Sequence, residues 1–146
     1  MEEELILLTE ELDGVDVNEI SPLVLAHVGD AYFHLFVRVK LLARERRVHE
    51  LHERSAQIVS AINQAHAYRV IEDQLSEEER EIFRHGRNAK SRLSKSASAS
   101  EYHMSTGFEA LLGTLFLRRQ SARLEEICIA AFEAINQKLS AEEEAQ

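Results

Sequence analysis

The sequence predicts an all-α fold. Apolar residues recur at three- and four-residue spacings through most of the 146-residue chain. One proline and five glycines are too few turn residues for a many-stranded sheet. No stretch alternates apolar and polar residues in the manner of a half-buried strand. The length suits a single domain over residues 1–146, long enough to bury a substantial core.

Glu2 to Leu12 is expected as a short amphipathic helix with Leu5, Leu8 and Leu12 on one face, a frayed acidic arm being the alternative. After a turn at Asp13-Gly14, Ser21-Pro22 marks a helix start, with Ser at the N-cap and Pro in the first turn. This main helix is expected to run to about Arg46. Val48 to Leu75 is a second helical stretch, expected to break near Glu53. Its buried stripe is Ile58, Ala61, Ile62 and Ala65, with Gln57, Ser60, Asn63, Gln64 and Arg69 off it. Ser76-Glu77-Glu78-Glu79 is a capping box opening a helix that ends near Gly86. Another helix spans about Thr106 to Arg119, burying Phe108, Leu111, Leu112, Leu115 and Phe116. A last one spans Ala122 to Leu139, with Cys128 as inert packing on its apolar stripe. Residues 140–146 are expected to be a disordered acidic tail.

The main helix is apolar on almost every face, yet Gly29-Asp30 sits at its centre. Gly costs about 1 kcal/mol relative to Ala in a helix interior. A buried carboxylate needs a cation or hydrogen-bond donors. His27, Asp30, His34 and Arg38 share one polar seam at three- and four-residue spacings. Three readings of Asp30 stand open. It is a structural residue satisfied by Arg38, His34 or backbone; it joins His27 and His34 as a zinc ligand; or it is an oxygen ligand for a hard cation such as magnesium, which requires a second carboxylate elsewhere.

The net charge of −9 argues at first against a nucleic-acid partner. However, eight of the acids lie in residues 1–19, and without them the chain is almost neutral. Between Ile82 and Ser100 there is no acid, while Arg84, Arg87, Lys90, Arg92 and Lys95 are basic. The 87–103 segment, rich in Ser, Ala and Lys, has no apolar periodicity. It is expected to be a loop that binds phosphate rather than a plain linker. One cysteine excludes an internal disulfide, and no apolar run reaches membrane-span length. The acidic start does not resemble a signal peptide, so a cytoplasmic location is expected.

Glu109, in Ser105-Thr106-Gly107-Phe108-Glu109-Ala110-Leu111-Leu112-Gly113, is the candidate second carboxylate. Thr106-x-x-Glu109 also reads as a capping box, in which Glu109 only folds back on a helix start. Leu25-Ala26-His27-Val28-Gly29-Asp30-Ala31 and Phe108-Glu109-Ala110-Leu111-Leu112-Gly113 resemble, in order, the two signature motifs of the ribonuclease III family. The resemblance is closest to its Mini-III subgroup, which lacks a separate double-stranded-RNA-binding domain. Gly86-Arg87-Asn88-Ala89-Lys90, Tyr102 to Leu111 and Arg54 to Ala61 also match that subgroup. Leu23 and Thr106 stand where ribonuclease III proper has further acids, and His27 where the subgroup usually has an aromatic residue.

The resemblance implies a magnesium-dependent endoribonuclease, with manganese able to substitute, acting as a homodimer. Asp30 and Glu109 would be both its catalytic residues and its metal ligands. It implies hydrolysis of double-stranded RNA to 5′-phosphate and 3′-hydroxyl ends, with a large-subunit ribosomal RNA precursor as substrate. Arg84, Arg87, Asn88, Lys90, Arg92 and Lys95 would bind RNA, and no membrane is involved. A catalytically silent dimer of the same fold that binds structured RNA is the alternative.

Overall fold

Ser21 Oγ accepts a hydrogen bond from the Leu23 N–H at 3.3 Å and Pro22 fills the first turn, so the main helix starts where the sequence places it. A computed structural model describes residues 8–89 and 97–146, and these hold six α-helices and no strand. In chain order they are α1 (Pro22–Leu41), α2 (Val48–Ile58), α3 (Ala61–Ile71), α4 (Glu77–Asn88), α5 (Ala97–Leu117) and α6 (Ser121–Glu144). The all-α expectation therefore holds among the described residues. Helix α5 is the hub, packed along α1 and against α3, α4 and α6. Phe33 of α1 and Phe108 of α5 are fully buried and meet edge to face, ring centroids 5.3 Å apart.

Glycines set how closely these helices approach. A Cβ built on Gly29 of α1 would fall on the Glu109 carbonyl oxygen, and one on Gly113 of α5 would fall on that of Leu25. Gly86 of α4 meets α5 the same way, its Cβ position lying 2.9 Å from Gly107 Cα and 2.7 Å from Ala110 Cβ. The propensity cost of a mid-helix glycine is thus offset by backbone-to-backbone packing that no larger residue allows.

Several boundaries differ from expectation for identifiable reasons. Helix α1 stops at Leu41 rather than near Arg46. There Glu45 Oε2 accepts the Arg46 and Arg47 N–H groups at 2.8 and 3.1 Å, a local alternative to helical bonding. The break between α2 and α3 falls at Val59-Ser60, not Glu53. Ser60 Oγ caps α3 by accepting the Asn63 N–H at 3.3 Å, while Asn63 Nδ2 donates to the Gln57 carbonyl at 2.7 Å. Consequently Asn63 and Gln64, expected off the buried stripe, are buried, and Ile62, expected on it, is 55 % exposed. The Ser76 capping box forms as expected, but α4 runs past Gly86 to Asn88.

Helix α5 begins at Ala97, so the expected loop over 87–103 shrinks from both ends; Lys90–Ser96 lies outside the described residues. Alanine-rich chain needs no apolar stripe to be helical. The hydroxyls of Ser105 and Thr106 donate within the helix to the Tyr102 carbonyl, at 2.7 and 3.1 Å. At the other end α6 continues beyond Leu139 to Glu144. Arg54 reaches Glu143 at 2.9 Å, so the stretch expected as a tail is helical to that point.

Of the expected Leu5–Leu8–Leu12 face, Leu5 lies outside the described residues, and Leu8 and Leu12 are 71 % and 40 % exposed. What ties this segment down is Arg119, a non-glycine residue at φ 59° in the turn after α5. Its Nε donates to Thr9 Oγ1 and its Nη2 to Asp13 Oδ1, both at 2.8 Å.

Candidate active site

The first signature stretch supplies Asp30 from α1, and the second supplies Glu109 from α5. Gly29 lies against the backbone of Glu109 itself, so the close crossing of the two helices juxtaposes the following Asp30 with Glu109. The two carboxyl groups share a hydrogen bond, which requires a proton on one of them. Burial raises the pKa of Glu109 above the ordinary carboxylate range, as do the hydrogen bond and the negative charge of Asp30. The Asp30 side chain is half exposed and receives His34 Nε2 at 3.1 Å, one turn along α1.

Gln64 of α3 completes the group. It is 2 % exposed, and its Nε2 donates to the Val59 carbonyl at 2.9 Å and to Glu109 Oε2 at 3.3 Å. The second bond favours the ionised form of Glu109, opposing the other influences. Gln64 Oε1 is buried with no partner among the described residues, a deficit that costs about 1–3 kcal/mol unless a donor is supplied.

The geometry bears on each reading of Asp30. His34 Nε2 lies 3.1 Å from Asp30, in line with the structural reading. No three His, Cys, Asp or Glu side chains converge as a metal cluster among the described residues, so the zinc trio of His27, Asp30 and His34 is not formed. The capping-box reading of Glu109 also fails. Glu109 lies mid-helix and the Thr106 hydroxyl is spent on the Tyr102 carbonyl. What remains is a pair of carboxyl groups held together at the cost of a proton, beside a buried oxygen lacking a donor. A hard divalent cation fits this donor set: it would replace the shared proton, and its bound water would supply the donor.

Arg84, Arg87 and Asn88 lie exposed at the C-terminal end of α4, with the Arg87 guanidinium 5.7 Å from the Phe83 ring. Through Gly86 and Gly107 this end of α4 abuts α5 just before Glu109. Lys90, Arg92 and Lys95 lie outside the described residues. Sequence reasoning missed Gln64, because its position looked like solvated helix surface. The Ser60 cap, which rotates Asn63 and Gln64 inward, was the only available signal.

A ribonuclease III domain model matches residues 23–120, a span that takes in both signature stretches, α4 and the hub helix. The chain belongs to the ribonuclease III family. Within it, the chain is 42 % identical over 123 residues to Mini-ribonuclease 3 of Clostridium tetani, covering 82 % of each. It is 44 % identical over 118 residues to Mini-ribonuclease 3 of Symbiobacterium thermophilum, covering 80 % of this chain and 91 % of that one. A solved protein of Fusobacterium nucleatum superposes with a TM-score of 0.69 at 28 % identity, over 75 % of this chain and 90 % of that one. As a Mini-III-type member of the family, the protein is an endoribonuclease. No helix among the described residues is long and apolar enough to cross a membrane.

Proposed function

We propose that this endoribonuclease cleaves double-stranded RNA using a divalent cation, magnesium or manganese, held by Asp30 and Glu109. The observation that carries the reading is the Asp30–Glu109 pair, pressed together by the Gly29–Gly113 crossing, with burial and Asp30 raising the Glu109 pKa. When bound, the cation supplies Lewis acidity to a phosphoryl oxygen. Glu109 gives up its proton to ligate, and Gln64 Nε2 steadies the carboxylate so formed. Asp30, the more open of the two, presents its carboxylate to the substrate side, with His34 fixing its rotamer. Water attacks phosphorus in line, the bond to the 3′ oxygen breaks, and that oxygen takes up a proton. The products are a 5′-phosphate and a 3′-hydroxyl. Leu23 is exposed and Thr106 is internally bonded, so neither adds a third carboxylate.

A cleft lined by His34, Arg38, His52 and Ser60 begins at His34 beside Asp30, and its donors suit the phosphates and 2′-hydroxyls of a duplex. A large-subunit ribosomal RNA precursor as substrate and a cytoplasmic setting are carried forward from the sequence resemblance as part of this reading. Incubating the purified protein with duplex RNA, with and without magnesium, tests the reading. Magnesium-dependent cleavage with 5′-phosphate ends is expected, and binding without cleavage would leave a silent RNA-binding protein.

The basic segment from Arg84 to Lys95 would contribute phosphate contacts. Replacing Arg87, Lys90 and Arg92 together by Ala should flatten the log–log dependence of affinity on salt by about one unit per lost contact. The loss should be similar for duplexes of different sequence. Affinity and slope unchanged across a salt series would instead make this segment a linker.

Val24, Leu35 and Val39 of α1, with Leu42 just past its end, are 46–61 % exposed along one side of the helix that carries Asp30. A two-fold partner lying on this stripe would place two sites on one duplex, one per strand. Sedimentation at micromolar concentration should give a dimer, and Leu35→Asp should give a folded monomer. A monomeric wild type would exclude the arrangement.

A further inference from the structure

Gln64 is buried between the α2–α3 break and the carboxyl pair, and closing that break accounts for only part of its bonding. The bond from Nε2 to the Val59 carbonyl fixes the orientation of the amide, because a flipped amide would set oxygen against oxygen. The same nitrogen reaches Glu109 Oε2, so the orphaned Oε1, on the same amide carbon, borders the site. Its carboxyl neighbours are chiefly acceptors, and no group among the described residues donates to it. A water carried by a bound cation would supply the missing donor.

We infer that Gln64 is a positioning residue for the cation site: Nε2 orients the Glu109 carboxylate, and Oε1 accepts a hydrogen bond from a water of the ion's hydration shell. This rests on the reading of Asp30 and Glu109 as the cation ligands. Magnesium and manganese keep several waters when only two carboxylates hold them, and those waters are strong donors. A neutral amide steadies such a water without adding a third negative charge to a pair that already shares a proton. Partners of this kind orient ligands, and their loss costs 10–100-fold in metal affinity.

The test uses metal-stripped protein, with manganese as the probe, its free-ion signal followed by electron paramagnetic resonance. Thermal unfolding of the metal-free protein is recorded in parallel. Gln64→Leu, which removes donor and acceptor, should weaken manganese binding by about 10–100-fold. Its metal-free melting temperature should stay near the wild-type value, since the orphaned oxygen leaves with the side chain. Gln64→Met, of similar length but without an acceptor, replaces the Leu variant if that one does not unfold cooperatively. Wild-type manganese affinity in the Leu or Met variant overturns the inference and leaves Gln64 a structural tie to Val59, whether or not stability drops. If wild type binds no manganese, the carboxyl pair is not a cation site and both readings fall. If wild type binds manganese and Gln64→Leu and Gln64→Met bind it as tightly, this inference alone fails.

Discussion

Asp30→Asn and Glu109→Gln are each expected to lower RNA cleavage at least about a thousandfold, equivalent to roughly 4 kcal/mol of transition-state stabilisation. Each removes one of only two carboxylates available to a cation, and no third converges there among the described residues. Folding and duplex binding should persist, because neither side chain anchors the core. Near-wild-type turnover in either variant would exclude the pair as the site. The same substitution has a signature without metal. Glu109 binds its proton more tightly in the folded protein than in the unfolded chain, whose value is near 4.5. It therefore contributes full stability below that value and loses the contribution as pH rises through the raised folded value. The melting temperature of metal-free wild type should fall as pH climbs from about 5 into the alkaline range. Glu109→Gln should flatten that fall and be the more stable protein at neutral pH.

Gly29→Ala is expected to destabilise the fold by about 2 kcal/mol or more and to abolish cleavage. In an exposed helix the same change would gain about 1 kcal/mol. Here the new methyl meets the Glu109 carbonyl oxygen and comes within 2.8 Å of the Gly113 nitrogen, both backbone atoms of a buried helix. Neither can yield without moving α5, and overpacking of this kind costs about 1–3 kcal/mol and occasionally more. Any relief would shift Glu109 away from Asp30. Gly14→Ala is the internal contrast. That glycine sits at φ 89° with open space around it, so its cost would come from backbone strain alone and activity should be spared. Denaturant unfolding with parallel cleavage assays distinguishes the two. Wild-type stability and activity in Gly29→Ala would contradict the close crossing.

Much of this was legible in the sequence, and the exceptions have physical causes. Ser21-Pro22 and Ser76 to Glu79 fix helix starts through local hydrogen bonds, so both were readable. Gly29 was readable as an anomaly, a cost at the centre of an apolar helix, but its partner on α5 is a long-range fact that no local pattern contains. Ala97 to His103 read as loop because its small residues carry no apolar stripe, yet it forms the first turns of α5. Gln64 was hidden because the turn of α3 depends on the Ser60 cap, and a shift of one helical position exchanges a buried amide for an exposed one. The carboxyls were identified through resemblance rather than periodicity. Thr106-x-x-Glu109 fits a capping box equally well until Thr106 is found inside a helix.

The claim on which the rest depends is that a divalent cation displaces the proton shared by Asp30 and Glu109. Titrating metal-free protein with magnesium chloride in a pH-stat near neutrality measures that exchange directly. The account predicts release of about one proton per ion bound, with tighter binding as pH rises. Release should vanish in Glu109→Gln. Magnesium bound stoichiometrically with no proton released, or released equally by the Glu109→Gln variant, would contradict it.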